Sequence, residues 1–238
     1  MPKSADLGRT NFLVMAKTLL VSLLALVAPV RCSGCGRADS ALCGRCMESL
    51  AAEQVRELAG FVIGGNSIPV VSAGIYAGAR RQVILDFKNG GQRRLGRTLV
   101  IAVTRTLRSR PVQQNADILV VPVPASIRGG WNRGYSPSLL LAREIAQAIP
   151  NARASSIVVP RLRIKAVLRS RFATRSRATR LQRSPSDYVV RARPRAADVI
   201  VVDDVAVTGA TVRAVCVALV SAGVHPSVVA VAADVPDR

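Results

Sequence analysis

The chain has 238 residues, half of them hydrophobic, and its 34 basic residues against 14 acidic ones give a formal net charge of +20. Highly charged disordered chains are poor in apolar residues, so this composition excludes intrinsic disorder and predicts one large folded domain or two small ones. The excess of basic residues favours anionic partners such as phosphates, nucleic acid or an acidic membrane surface, although charge does not specify a fold.

An uncharged apolar run of 13 residues occupies positions 18–30. It is shorter than the roughly 20 residues that a membrane-spanning helix needs. Lys17 and the length of the run leave a secretory signal as an alternative, but no Ala-x-Ala cleavage site follows. We expect an N-terminal helix packed on the domain behind it, no transmembrane anchor, and a cytoplasmic protein with reduced thiols.

Four of the five cysteines form two Cys-x-x-Cys pairs separated by seven residues: Cys32, Cys35, Cys43 and Cys46. Each tight turn can direct both of its sulfurs at one tetrahedral ion, so we predict a zinc site. Four sulfur ligands would close the site, which makes the zinc structural rather than catalytic. A redox-active or inert pair is the alternative. The fifth cysteine, Cys216, lies in an apolar helix and is predicted to be a core residue.

A domain boundary is predicted near Gly60. Residues 47–59 have the period of a short amphipathic helix, and glycines from Gly60 onward interrupt that pattern. The prediction is a first domain of residues 1–60, with the N-terminal helix and the four-cysteine zinc ribbon, and a second domain of residues 61–238. Removal of zinc is then expected to unfold the first domain and to leave the second largely folded.

From Pro69 onward, apolar runs alternate with helical stretches. Extended segments are predicted at 70–76, 118–123, 157–159, 188–190, 199–202 and 227–233, and helices at 80–88, 97–108, 138–149 and 211–222. This alternation predicts an α/β fold with a parallel sheet and helices on both faces.

A strongly basic stretch lies between Arg161 and Arg195. It contains eleven arginines and Lys165 but only one acidic residue, Asp187, which gives a net charge of +11. It has few apolar residues and no sustained period, so we predict a mobile basic loop inserted between strands.

The apolar strand at 199–202 leads into Asp203-Asp204 and then into the sequence Thr208-Gly209-Ala210-Thr211. Adjacent carboxylates at the carboxyl end of a strand point to opposite sides and can hold vicinal ribose hydroxyls, directly or through Mg²⁺. The Thr-Gly-Ala-Thr turn offers backbone N–H groups and hydroxyls at a helix N-terminus, which favours a phosphate. A capped helix start without a ligand is the alternative. No Gly-Lys-Ser/Thr is present, so this is not a Walker A loop.

This signature resembles the 5-phosphoribosyl 1-diphosphate (PRPP) motif of type I phosphoribosyltransferases. With the four-cysteine ribbon ahead of it, the chain is similar to the ComF family, which is associated with natural competence. Further similarities are Tyr76-Ala-Gly with Arg80, Asp86-Phe-Lys88, and Val121-Pro-Val-Pro124 with Arg128 and Arg133-Gly134-Tyr135. The chain departs from the family pattern at Val207, at Ser136-Pro137 and in the Arg-rich stretch.

The resemblance implies a type I phosphoribosyltransferase-like fold and a role for each part of the site. Asp203 and Asp204 would be the catalytic pair on the ribose hydroxyls, and the turn would bind the 5′-phosphate through Val207, Thr208, Gly209, Ala210 and Thr211. The loop from Pro124 to Tyr135 would meet the pyrophosphate, and the stretch near residues 169–183 would be the flexible hood loop. Lys88, Arg128 and Arg133 would clamp pyrophosphate or another polyanion. The alternative is that these residues form a solvated charged face.

Two functions follow as hypotheses. The first is a phosphoribosyltransferase-like protein that binds Mg-PRPP or a related ribose phosphate, transfers the phosphoribosyl group with release of pyrophosphate, and is linked to DNA uptake. The second is a non-catalytic single-stranded DNA-binding protein that uses the zinc ribbon and the Arg-rich loop, and its binding would weaken steeply with salt. An aromatic content of 3% leaves few platforms for base stacking in the second case.

Overall fold

The computed structural model describes residues 30–38, 40–89, 91–108, 117–125, 135–161, 184–196 and 198–236. Within them the helices are α1 Gly44–Ala52, α2 Gly78–Asn89, α3 Gly96–Arg108, α4 Pro137–Ala148 and α5 Ala210–Ser221. The strands are β1 Arg56–Ile63, β2 Asn66–Ser72, β3 Ile118–Pro122, β4 Ala152–Ala154, β5 Val158–Pro160, β6 Tyr188–Val190, β7 Asp198–Ala206 and β8 Val228–Asp234. Every helix and strand predicted after residue 69 overlaps an element of the same type, whereas the short strand β4 was not predicted.

The main sheet has six strands in the order β1-β2-β8-β7-β3-β4. All neighbours are parallel except β1 and β2, which form an antiparallel hairpin. The α/β class is therefore confirmed, but the sheet is mixed and mostly parallel rather than wholly parallel. Strands β5 and β6 pair with each other in a separate antiparallel sheet and do not extend the main one.

Apolar side chains on both faces of the sheet are buried. In β3, Ile118 and Val120 face the core formed with α2, α3 and α4, while Leu119 and Val121 face the core formed with α5 and the β5–β6 sheet. This two-sided burial explains why β3 and the first half of β7 are continuous apolar runs without polar alternation. Cys216 of α5 is fully buried in the second core, as predicted.

The predicted boundary at Gly60 falls inside strand β1, and the helix predicted over 47–59 ends at Ala52. Residues 56–58 have an amphipathic pattern, but they pair with β2, and this tertiary pairing overrides the local helical pattern. Gly60 lies at an irregularity in the pairing, where an added Cβ would come within 2.8 Å of the Ile68 carbonyl oxygen. Glycine is needed there for close approach of two backbones rather than as a linker.

A buried arginine attaches helix α1 to the sheet. Arg80 of α2 is fully buried and donates hydrogen bonds to Glu53 Oε2 at 2.7 Å, to the Leu50 carbonyl at 3.0 Å and to the Ala232 carbonyl at 3.2 Å. Arg105 of α3 donates to the Ala51 carbonyl. The unpaired carbonyls at the C-terminal end of α1 are thus satisfied by two other helices, so α1 belongs to the body of the α/β fold.

Candidate functional site

A cleft of about 440 Å³ opens at the carboxyl edge of the parallel strands. Strand β7 and the following turn contribute much of its wall, and the C-terminal end of α2, the residues after β3 and the start of α4 contribute the rest. The lining residues include Tyr76, Lys88, Asn89, Val123, Pro124, Ser138, Tyr188, Asp203, Asp204 and residues 205–212. Ligands of open α/β sheets bind at this edge, so its polar groups are the candidate site.

The two adjacent acids of β7 lie together in this cleft. Asp203 is partly buried and Asp204 is buried, with 7% of its surface exposed. The Asp204 backbone N–H donates a hydrogen bond to Asp203 Oδ1 at 2.8 Å. This bond holds the first carboxylate in place and leaves its second oxygen able to accept a hydrogen bond from a ligand hydroxyl.

Lys88, at the C-terminal end of α2, pairs with the second acid. Its Nζ lies 2.8 Å from Asp204 Oδ1, and 25% of the lysine side chain and 10% of the aspartate side chain are exposed. The structure therefore brings together three residues that the sequence predicted for the site. It places the lysine against the acids rather than on the open face of its helix.

Burial and the neighbouring Asp204 carboxylate raise the pKa of Asp203 well above its usual range, although Lys88 and the Asp204 N–H oppose this shift. A carboxyl group with a higher pKa in the folded chain binds its proton more tightly when folded. Its ionisation as the pH rises therefore opposes folding. Ionisation of Asp203 is less favourable in the folded chain than in the unfolded one, and such shifted pKa values are common at functional sites.

We accordingly expect Asp203→Asn to raise the melting temperature at pH 7–8. The gain should shrink as the pH falls toward the ordinary aspartate value of 3.8, because the wild-type side chain then becomes protonated in the unfolded chain as well as in the folded one. Calorimetry from pH 4 to 8 measures this, with the exposed Asp117→Asn as a control that removes the same charge at the opposite edge of the sheet. An equal gain at both ends of the pH range would contradict the assignment.

The predicted phosphate turn forms the N-terminus of α5. Gly209 is its N-cap residue with φ +65°, a conformation that a side chain would strain, and it makes no side-chain cap. The Thr208 hydroxyl accepts a hydrogen bond from the Ala210 N–H at 3.4 Å. Val207 and Thr211 line the same cleft, so all five predicted residues lie beside the acidic pair. The N–H groups in the first turn of this 12-residue helix would be directed at an anion bound beside Gly209.

A directly bound Mg²⁺ does not fit the acidic pair as it stands. Magnesium requires close oxygen ligands at about 2.0–2.1 Å in octahedral geometry. One oxygen of Asp204 is held by the Lys88 ammonium and one of Asp203 by a backbone N–H. The pair is arranged for hydroxyl donors, with a cation already beside it.

The four predicted cysteines form a cluster near the N-terminus that could hold a metal ion. Their Sγ atoms all lie within 4.8 Å of one another, and those of Cys35 and Cys43 are 3.8 Å apart. Tetrahedral zinc with Zn–S bonds of about 2.3 Å would separate its sulfurs by about 3.8 Å. Cys32, Cys43 and Cys46 are buried, Cys35 is exposed, and all four are free thiols. The donor set and its spacing fit structural zinc.

The surroundings of these sulfurs shift the pKa values of two of them in opposite directions. Burial raises the pKa of the Cys32 thiol, but N–H groups of Cys43, Cys35 and Gly34 outweigh it and lower the pKa to about 6. Burial and the neighbouring sulfurs raise the pKa of Cys46 to about 12. Four thiolates at this spacing repel each other, and a divalent cation would relieve that repulsion.

Two predicted phosphate-binding residues, Arg128 and Arg133, lie outside the described residues, as do most of the basic stretch and the apolar run at 18–30. Tyr135, the first described residue after both arginines, donates a hydrogen bond to the Phe87 carbonyl. The lining side chains Asn89, Ser138 and Tyr188 were not predicted. The available signals in the sequence were weak: Asn89 follows Lys88, and Tyr188 begins a predicted strand.

None of the helices in the described ranges is both long enough and apolar enough to cross a bilayer. Comparison with known proteins gives no match to any protein-family model and no match to any curated protein. The site is therefore argued from its own residues.

Proposed function

We propose that the cleft binds the 5-phosphoribosyl group of PRPP, or of a related nucleotide-like ligand, as in phosphoribosyltransferase-like proteins of the ComF family. One observation carries the proposal: the acidic pair Asp203-Asp204 and the helix-initiating turn at residues 208–211 line a single cleft at the carboxyl edge of the sheet. Hydrogen-bond acceptors for hydroxyl groups and hydrogen-bond donors for a phosphate, side by side in one cleft, match the two ends of a ribose 5-phosphate.

In this proposal each group has one task. The carboxylates of Asp203 and Asp204 accept hydrogen bonds from the ribose hydroxyls, and the N–H groups and hydroxyls of Thr208 and Thr211 donate to the 5′-phosphate. Val207 contributes its backbone only, because its side chain has no hydrogen-bonding group. The mostly parallel sheet with this cleft at its edge supports a type I phosphoribosyltransferase-like fold.

The reaction that the ComF resemblance implies is transfer of the phosphoribosyl group to a nucleophilic acceptor. The bond between the sugar C1 and pyrophosphate breaks, and a bond from C1 to the acceptor forms. The residues of the cleft would contribute positioning and charge stabilisation and would not form a covalent intermediate. The cysteine cluster would hold zinc with a structural role, and the link to DNA uptake follows from the same resemblance.

A calorimetric titration with PRPP at moderate salt tests the proposal. Asp204→Asn should weaken binding by at least about tenfold, because hydrogen bonds to charged groups contribute about 1.5–3 kcal/mol each. Thr211→Val should weaken binding of PRPP and of ribose 5-phosphate but not of free ribose. The control is Asp117→Asn, which removes the same charge from an exposed position away from the cleft and should bind like wild type.

Equal PRPP affinity in wild type and Asp204→Asn would contradict the proposal. Titration with a single-stranded DNA oligonucleotide provides the second arm. DNA binding that is unaffected by Asp204→Asn but falls steeply with salt, in a protein that does not bind PRPP, would favour the non-catalytic DNA-binding alternative.

A further inference from the structure

The acidic pair has a cation from the chain itself. Lys88 Nζ lies 2.8 Å from Asp204 Oδ1, and both residues line the cleft. The lysine reaches this position from the last turn of α2, where the helix dipole stabilises a positive charge. The ammonium thus occupies one of the two carboxylate oxygens of Asp204, in a cleft that both residues line.

Two neighbouring carboxylates without a cation between or beside them would be a favourable place for a divalent ion. Here one positive charge already lies 2.8 Å from Asp204, and the side chains of Lys88 and Asp204 are only 25% and 10% exposed. A metal ion would therefore have to displace a hydrogen-bonded ammonium that water screens weakly. The competition favours the lysine as long as no ligand draws its ammonium away.

We propose that Lys88 is the resident cation of the acidic pair and keeps divalent metal ions out of the ligand-free cleft. A divalent cation then enters only as part of the ligand, bound to its phosphate groups. This last step rests on the proposed function, whereas the exclusion depends only on the three side chains Lys88, Asp203 and Asp204.

Titration of the zinc-loaded protein with Mn²⁺ alone, followed by the electron paramagnetic resonance signal of free Mn²⁺, tests the exclusion. Wild type should show no site that depends on Asp204. Lys88→Met should gain one site at least about tenfold tighter than any wild-type site, and Lys88→Met/Asp204→Asn should lose it again. The matched control is Arg81→Met, which removes one positive charge from an exposed position of the same helix and should bind Mn²⁺ like wild type.

A wild-type Mn²⁺ site that Asp204→Asn abolishes would overturn the proposal. A folded Lys88→Met protein without a new site would overturn it as well. Lys88→Gln serves as a second variant, and melting curves establish that each variant is folded. No ribose phosphate is present in this titration, so its result does not depend on whether the protein binds PRPP in the separate calorimetric experiment.

Discussion

Replacement of Arg80 by methionine is expected to lower the free energy of unfolding by about 2 kcal/mol or more, because a buried polar group that loses its partner costs about 1–3 kcal/mol and Arg80 bonds two buried carbonyls. The fully buried guanidinium bonds Glu53 and also the carbonyls of Leu50 and Ala232. Methionine fills a similar volume but leaves both carbonyls without this donor. Since domains are stable by only about 5–15 kcal/mol, the loss should be visible in a urea unfolding curve.

Two variants separate this effect from a general loss of charge. Arg81→Met removes the neighbouring, exposed arginine and should change stability by less than about 0.5 kcal/mol. Gly74→Ala should resemble Arg80→Met, because the added Cβ would lie 1.9 Å from Glu53 Oε2 and 2.6 Å from Arg80 Nε. An Arg80→Met protein within 1 kcal/mol of wild type would show that the buried guanidinium does not hold α1 in place.

Removal of metal from the cysteine cluster is expected to lower the melting temperature of the whole chain by more than about 10 °C, in a single transition. Structural zinc contributes about 10–16 kcal/mol in zinc-finger peptides, and 1 kcal/mol shifts melting by about 2–4 °C at this chain length. Cys46 lies in α1, and α1 carries Leu50 into the core shared with α2, α3 and α4. The predicted boundary at Gly60 implied unfolding of the ribbon alone, but these contacts lead us to expect cooperative loss.

Calorimetry with and without a chelator measures this, and two glycines supply a matched genetic test. An added Cβ at Gly34 would lie 2.6 Å from Cys46 Sγ, whereas at Gly44 it would meet nothing within 4 Å. Gly34→Ala should therefore melt like the chelated protein and lose the thiolate-to-metal absorption of the Co²⁺-substituted form. Gly44→Ala should retain the wild-type melting temperature and this absorption. Two well-separated transitions after chelation would favour independent domains.

The sequence was sufficient to predict the elements whose signal is local. The apolar strand before Asp203, the turn at Gly209 and the alternation of strands and helices each depend on neighbouring residues, and the structure has them where they were predicted. The four cysteines were equally predictable, because two Cys-x-x-Cys turns define their own geometry.

Contacts between distant segments were not predictable in the same way. The target of Lys88 depends on where the tertiary fold brings the C-terminal end of α2, and a pattern of charges along one helix does not identify it. Arg80 was noted only as part of the family resemblance, without a structural role, yet it is fully buried because three acceptors from α1, its following loop and β8 surround it. The helix predicted over 47–59 was wrong at its end because residues 56–58 pair with β2.

The position of β8 in the sheet has a consequence for synthesis on the ribosome. It is the last of the described strands in sequence, yet it lies between β2 and β7 and joins the β1–β2 hairpin to the rest of the sheet. It also carries Ala232, one of the three acceptors of Arg80. While the chain is being translated, the hairpin and the β7-β3-β4 half each keep an open edge until β8 emerges. We therefore expect edge-to-edge aggregation to be most favourable before β8 has emerged and paired with both halves.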